Sequence, residues 1–221
     1  ASGGRLFCWK NGIITKYEPG KGLPDKTIVS LYRDRDKNLW IGSDGGGLTR
    51  FSNGEFTTLP GGSGSVSGFV YSIFEDREGS LWVGTIDGGL YQLRDSTFTT
   101  YTRREGLAHD YVNCIFQSQG GDVWIGSRGG LNLLKDGKLT IPSAGGEPFI
   151  GDRVLFLYED PPDYLWIGTW DSGLYQFKDG KLTALKTNDR LSGKNIGHIF
   201  RDRQGSTWLG TENGLKRLDK K

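Results

Sequence analysis

Methionine is absent from the 221 residues, and cysteine and histidine occur only twice each. Cys8 and Cys114 are too few to build a disulfide framework. With His109 and His198 they offer no metal-ligand spacing either, so no metal and no cofactor is expected. No run of apolar residues approaches the length of a membrane span, which excludes insertion by a helix of this chain. Charge of one sign is also lacking: 28 Lys and Arg stand against 26 Asp and Glu, interspersed along the chain, for a net charge of +2. A nucleic-acid binder needs a basic stripe, and none is present. Ala1-Ser2-Gly3-Gly4 has neither the charged nor the apolar region of a signal peptide. Helical periodicity is missing as well.

What the chain has in quantity is glycine, 36 residues, together with seven tryptophans. That combination suits short strands joined by tight turns. The tryptophans are ordered. Trp-aliphatic-Gly-Ser/Thr recurs at Trp40, Trp82, Trp124, Trp166 and Trp208, each 42 residues after the last. A second marker keeps the same step: Ile28, Val70, Val112, Val154 and Ile196 each open a strand-like run, followed four residues on by Tyr32, Phe74, Phe116, Tyr158 and Phe200. A fixed period of this length marks a repeat architecture.

Each period divides into four short runs, here strands A to D. In the second copy they are Val70–Glu75, Leu81–Thr85, Leu90–Arg94 and Thr97–Tyr101. Asn53-Gly54, Asp136-Gly137, Asp179-Gly180 and, near the N-terminus, Asn11-Gly12 stand between C and D. These residues tolerate the positive φ of a type I′ hairpin. Short links make each period an antiparallel four-stranded meander. Four such strands per 40–45 residues form the blade of a propeller rather than a coil of a parallel β-helix.

The expected fold is therefore all-β: a single β-propeller domain over residues 1–221, with blades near 28–59, 70–101, 112–141, 154–185 and 196–218. Residues 13–17 are expected to complete the last blade, so that pairing of N- and C-terminal strands closes the ring. Arg5–Lys10 and Gly214–Leu218 both match strand C, which leaves one strand in surplus. A surplus edge can pair with another chain, so self-association is an expectation. The start in mid-blade without methionine reads as an excerpt of a longer array or an engineered cut. Cys8 and Cys114 fall on blades that are not neighbours, and no bridge between them is expected. The recurrent tryptophans read as wedges between sheets, with the glycine two residues later leaving room for the adjacent blade.

The stretch from Asp76 to Tyr91, Asp-x-x-Gly-x-Leu-Trp-Val-Gly-Thr-x-x-Gly-Gly-Leu-Tyr, resembles the two-component-regulator propeller repeat, as do Gly22-Leu23-Pro24 and Gly106-Leu107 before strand A. The resemblance covers essentially the whole chain. It implies a periplasmic or extracellular sensor propeller of a hybrid two-component system, detecting breakdown products of complex polysaccharides. Such propellers usually have seven blades and are followed by a β-sandwich, a membrane span and a kinase, none of which is present in this chain.

Positions that vary between copies carry the functional signal, because structure dictates what recurs. The B–C loops and the residues just before strand A open on one end of the blades. The candidate rim residues are Asp44, Phe69, Asp87, Tyr111, Arg128, Arg153, Trp170, Asp171, Asn195 and Glu212. Aromatic rings beside arginine and carboxylates suit a polar ligand with an apolar face, such as a saccharide. Trp170 is the sharpest candidate, since no other copy has tryptophan there. Asp44 and Asp87 also read as caps of glycine-rich turns. No catalytic residue is expected. His109 sits in a link and His198 at a core-facing A-strand position, and turns such as Asp202-Arg203-Gln204-Gly205 read as structural. Three functions compete: a non-catalytic ligand sensor, a repeat scaffold without native ligand, and a polysaccharide lyase or glycosidase using Asp87, Asp171 and Glu212 at the opening.

Overall fold

The computed structural model describes residues 4–59, 66, 68–144, 146–160, 164–185 and 195–218. The chain divides into two compact units, Ala1–Thr102 and Arg103–Lys221. The first opens with a hairpin, β1 (Leu6–Lys10) and β2 (Ile13–Tyr17). Two four-stranded meanders follow it: β3 (Ile28–Arg33), β4 (Leu39–Ser43), β5 (Gly47–Ser52) and β6 (Glu55–Thr58), then β7 (Val70–Glu75), β8 (Leu81–Thr85), β9 (Leu90–Arg94) and β10 (Thr97–Tyr101).

The second unit begins with the meander β11 (Val112–Gln117), β12 (Val123–Ser127), β13 (Gly130–Lys135) and β14 (Lys138–Thr140). The small strands β15 (Ser143–Ala144) and β16 (Glu147–Pro148) lie in the following link. They join the outer edge of the sheet made by β17 (Val154–Asp160), β18 (Tyr164–Thr169), β19 (Leu174–Lys178) and β20 (Lys181–Ala184), through a parallel pairing of Ala144 with Leu182. The last sheet has three strands, β21 (Ile196–Arg201), β22 (Thr207–Thr211) and β23 (Gly214–Leu218). Strand β2 pairs with β1, and β23 occupies the edge of β22 that a C strand takes in every other sheet. The pairing expected to close a ring is not among those of the described residues.

Local chemistry accounts for the meanders. The C–D turns have left-handed φ at both central residues, Asn53 and Gly54 at 51° and 86°, Asp179 and Gly180 at 48° and 74°, as a type I′ hairpin requires. Asp95 and Ser96 make the same turn without glycine. Every A–B pair carries a register shift at one place, between Ile28 and Ser30 in the first sheet and at the equivalent residues in the other four. This bulge is absent from the sequence pattern. It turns the extra residue out of the pleat.

Trp40, Trp124 and Trp166 are wedges between sheets, as expected. In the first unit Trp40 and Leu48 of one sheet meet Val70, Leu81, Val83 and Tyr91 of the next. In the second, Trp124 and Leu131 meet Val154, Leu165, Ile167 and Leu182. The glycine two residues after Trp40 and the one two residues after Trp124 face these seams. A Cβ on Gly42 would come within 2.6 Å of Val70 Cγ1, and one on Gly126 within 2.6 Å of Val154 Cγ1.

The aspartate that opens the A–B turn holds the tryptophan in place. Asp76 Oδ2 accepts a 2.7 Å hydrogen bond from Trp82 Nε1 while its Oδ1 accepts from the Ser80 backbone N–H. Asp34 serves Trp40 and Asn38 in the same way, and Asp202 serves Trp208 and Ser206. The Trp208 hydrogen bond, aided by backbone donors, keeps the Asp202 carboxyl below its ordinary pKa. In the fourth copy Asp160 pairs instead with Arg201, and Trp166 Nε1 is buried without a partner.

Both thiols are free, Cys8 exposed and Cys114 covered by the seam. Burial pushes the Cys114 thiol up to about 12, so its thiolate is scarce at neutral pH. A chromogenic disulfide reagent is expected to titrate one thiol in the native protein and two after denaturation. Rapid native reaction of two thiols would show that the Cys114 seam opens.

Candidate functional site

Each blade end is tied by one backbone hydrogen bond, repeated in all five copies. The first N–H of the B–C loop donates to the carbonyl of the residue before strand A. The pairs are Asp44 to Thr27 at 2.9 Å, Ile86 to Phe69 at 3.1 Å, Arg128 to Tyr111 at 2.9 Å, Trp170 to Arg153 at 2.9 Å and Glu212 to Asn195 at 3.2 Å. Loop and link therefore meet at one end of every sheet, and the candidate residues fall at that junction or next to it. Neighbouring junctions are joined too: Gly45 and Gly47 donate to Gly68 in the first unit, and Gly151 donates to Gly129 in the second.

In the first unit Phe69 stacks on Tyr71 with centroids 6.1 Å apart. Asp44 is exposed beside its glycine-rich loop. Asp87 is exposed with φ of 67°, which supports its reading as a turn residue.

The second unit holds the most elaborate junction. Arg153 Cζ lies 5.2 Å from the Trp170 ring centroid and 5.8 Å from that of Tyr111. Both distances are within the range where an aromatic face attracts a guanidinium. Arg153 and Tyr111 are half-buried, whereas Trp170 is 44% exposed. Asp171 donates its backbone N–H to Asp152 Oδ1 at 3.4 Å, and Asp152 Oδ2 is buried without a hydrogen-bond partner. Arg128, Asp171 and Glu212 are exposed, and Asn195 is half-buried. Three of the ten candidates are thus assembled into one cluster, Tyr111, Arg153 and Trp170.

Asp152 is the residue that the repeat pattern does not single out. It stands one position before the variable link residue Arg153. Extending the comparison between copies back by one brings it into view, together with Asp110, whose Oδ1 accepts the Arg103 N–H at 2.7 Å.

The chemistry of this arrangement is that of a cation beside aromatic faces and a carboxylate. A guanidinium held over two rings loses little entropy when its N–H groups engage oxygen acceptors. The exposed Trp170 face offers an apolar platform next to it, and the idle Asp152 oxygen calls for a donor. General acid–base chemistry finds less. His109 Nδ1 accepts the Tyr111 N–H at 2.9 Å and serves its own link. His198 is exposed, contrary to expectation, although its ring meets that of buried Phe156 edge-on at 6.4 Å. Among the described residues no three His, Cys, Asp or Glu gather as a metal site.

The signature of the two component regulator propeller matches residues 22–45, 64–87, 106–129, 148–171 and 190–213, together more than half of the chain. The chain belongs to this family. The first and third matched stretches begin at Gly22-Leu23 and Gly106-Leu107, and every stretch ends in a B–C loop, so these repeats include both sides of the rim junction. Among solved structures, the extracellular domain of the hybrid two component system BT3049 from B. thetaiotaomicron is similar at 20% identity and TM-score 0.70. The match covers 88% of this chain but only 27% of that one. The extracellular domain of the hybrid system BT4673 from the same organism matches at 18% identity and TM-score 0.57, over 98% and 39% of the two chains. Virginiamycin B lyase from Staphylococcus aureus matches at 17% identity and TM-score 0.72, over 99% and 75%. No curated protein matches the chain. These likenesses establish a β-propeller fold. Function has to come from the site. Among the described residues no helix is long and apolar enough to cross a membrane.

Proposed function

We propose that this propeller is a non-catalytic, sensor-type ligand-binding domain that works outside the cytoplasm and takes a small polar ligand, with a carbohydrate fragment as the class. The observation that carries this reading is the Tyr111–Arg153–Trp170 cluster. A sugar presents a C–H face to an indole and ring oxygens to a guanidinium, and Trp170 and Arg153 offer both within one junction. Family membership and the similarity to extracellular domains of hybrid two component systems support the sensor role and the location.

The lyase among the similar folds keeps an enzymatic alternative in play, with Asp171 or Glu212 as the acid–base group. A repeat scaffold without a ligand is the third possibility. A thermal-shift screen against a saccharide panel separates the three. The proposal expects at least one saccharide to raise the melting temperature of the parent and to leave Trp170→Ala and Arg153→Ala unmoved. Loss of one exposed ring should change the unliganded stability by no more than about 0.5 kcal/mol. A panel without any shift would favour the scaffold. Cleavage of a polysaccharide that disappears in Asp171→Asn or Glu212→Gln would favour the enzyme.

A further inference from the structure

Arg153 is a half-buried cation without a counter-charge. Among the arginines described in the second unit, only Arg153 and Arg201 are half-buried, and the others are exposed. A guanidinium drawn out of water calls for a compensating negative charge. Arg201 has one, since its Nη1 donates to Asp160 Oδ1. Arg153 forms no ion pair among the described residues, and the rings of Trp170 and Tyr111 are what it lies over.

Two acids stand close by and do not fill that place. Asp152 turns one oxygen to the Asp171 backbone N–H and has the other buried. Asp171 is exposed and meets Asp152 through its main chain. A second cation adjoins the same junction. Arg128 is exposed and also without an ion pair among the described residues, and its backbone N–H is tied to the Tyr111 carbonyl at 2.9 Å. The Gly151 N–H, which donates to the Gly129 carbonyl at 2.8 Å, joins the Arg128 loop to the link that carries Arg153.

We propose that the ligand of this site is an acid: its oxyanion, a carboxylate or a sulfate, engages the Arg153 guanidinium while the ring that bears it lies on Trp170. The inference rests on the saccharide-sensor reading and narrows it to acidic sugars. A guanidinium already held over aromatic faces is preset for the planar, doubly hydrogen-bonded contact that an oxyanion makes. Arg128 adds positive potential without having to touch the ligand.

Calorimetric titration of the whole chain at low salt tests this with matched probes. Trigalacturonate is compared with its neutral methyl ester, and a galactose sulfate with galactose, so that the two sources of the oxyanion are read separately. At least one acid is expected to bind roughly tenfold or more tighter than its neutral twin, the scale of a single charge-assisted hydrogen bond. Added salt should weaken that preference. Arg153→Gln should abolish it, and Arg153→Lys, which keeps the charge without the fork, should retain only part of it. Circular dichroism checks both folds, and the lysine variant carries the test should the glutamine variant misfold. Equal affinity for acid and neutral twin overturns the proposal and leaves the saccharide reading standing. Binding of para-hydroxybenzoate that depends on Arg153, with no sugar bound, keeps the acid site and removes the sugar. Failure of every acid to bind, or acid binding that Arg153→Gln leaves unchanged, overturns the proposal.

Discussion

Trp82→Ala is expected to destabilise the protein by about 4 kcal/mol, the scale of removing a fully buried large ring. Trp82 is 2% exposed, and its ring stacks on Tyr101 at 6.1 Å. Its Nε1 is a donor to Asp76, itself 4% exposed. The substitution therefore opens a cavity and deprives a buried carboxylate of a partner, and the second effect adds to the first. Trp82→Phe separates the two contributions, since it keeps most of the ring and removes only the donor. Urea denaturation monitored by circular dichroism measures both. A loss below about 1 kcal/mol for the alanine variant would contradict a packing role for this buried ring.

The second large effect is expected at Gly168→Ala. A Cβ at this position would fall inside the edge of the Phe156 ring, which is buried among Leu174, Ile196, Ile199 and Leu209. Phe156 stands where the first two sheets have Ser30 and Ser72, so this seam is already filled by a larger group than its counterparts. Adding one methyl there should cost roughly 3 kcal/mol, at the upper end for overpacking a tight core. The same exchange at Gly210 is the control. A Cβ there would meet nothing closer than 3.6 Å, from His198 Cβ, and stability should stay within about 0.5 kcal/mol of the parent. Equal losses at the two glycines would mean that the seam, as described, is not what selects glycine.

These predictions set the recurrent tryptophans apart from Trp170. Replacing the first is expected to impair folding; replacing the second, on the proposed function, is expected to impair binding. The repeat makes that division legible in the amino-acid sequence: residues that recur every 42 positions answer to packing, and residues that break the recurrence answer to something else. The strands of the second copy have the bounds that alternation and turn chemistry assign, and the Asn-Gly and Asp-Gly turns are the hairpins expected. The turn at Asp95-Ser96 is less legible, because nothing in a serine announces positive φ. The shared bulge in strand A is hidden as well, since an extra residue is visible only against the strand that it faces.

The sequence by itself determined the class of fold, the length of the repeat and the ends of the sheets where variation concentrates. All three depend on local chemistry and on a period that repeats along the chain. Only the tertiary structure decided which variable residues lie together. Arg153 reaches Tyr111 and Trp170, which lie 42 and 17 residues away along the chain. It also left Asp152 with an idle oxygen and His198 exposed. Such neighbours are chosen by how one sheet packs on the next, a relation between distant segments that no single stretch of residues encodes.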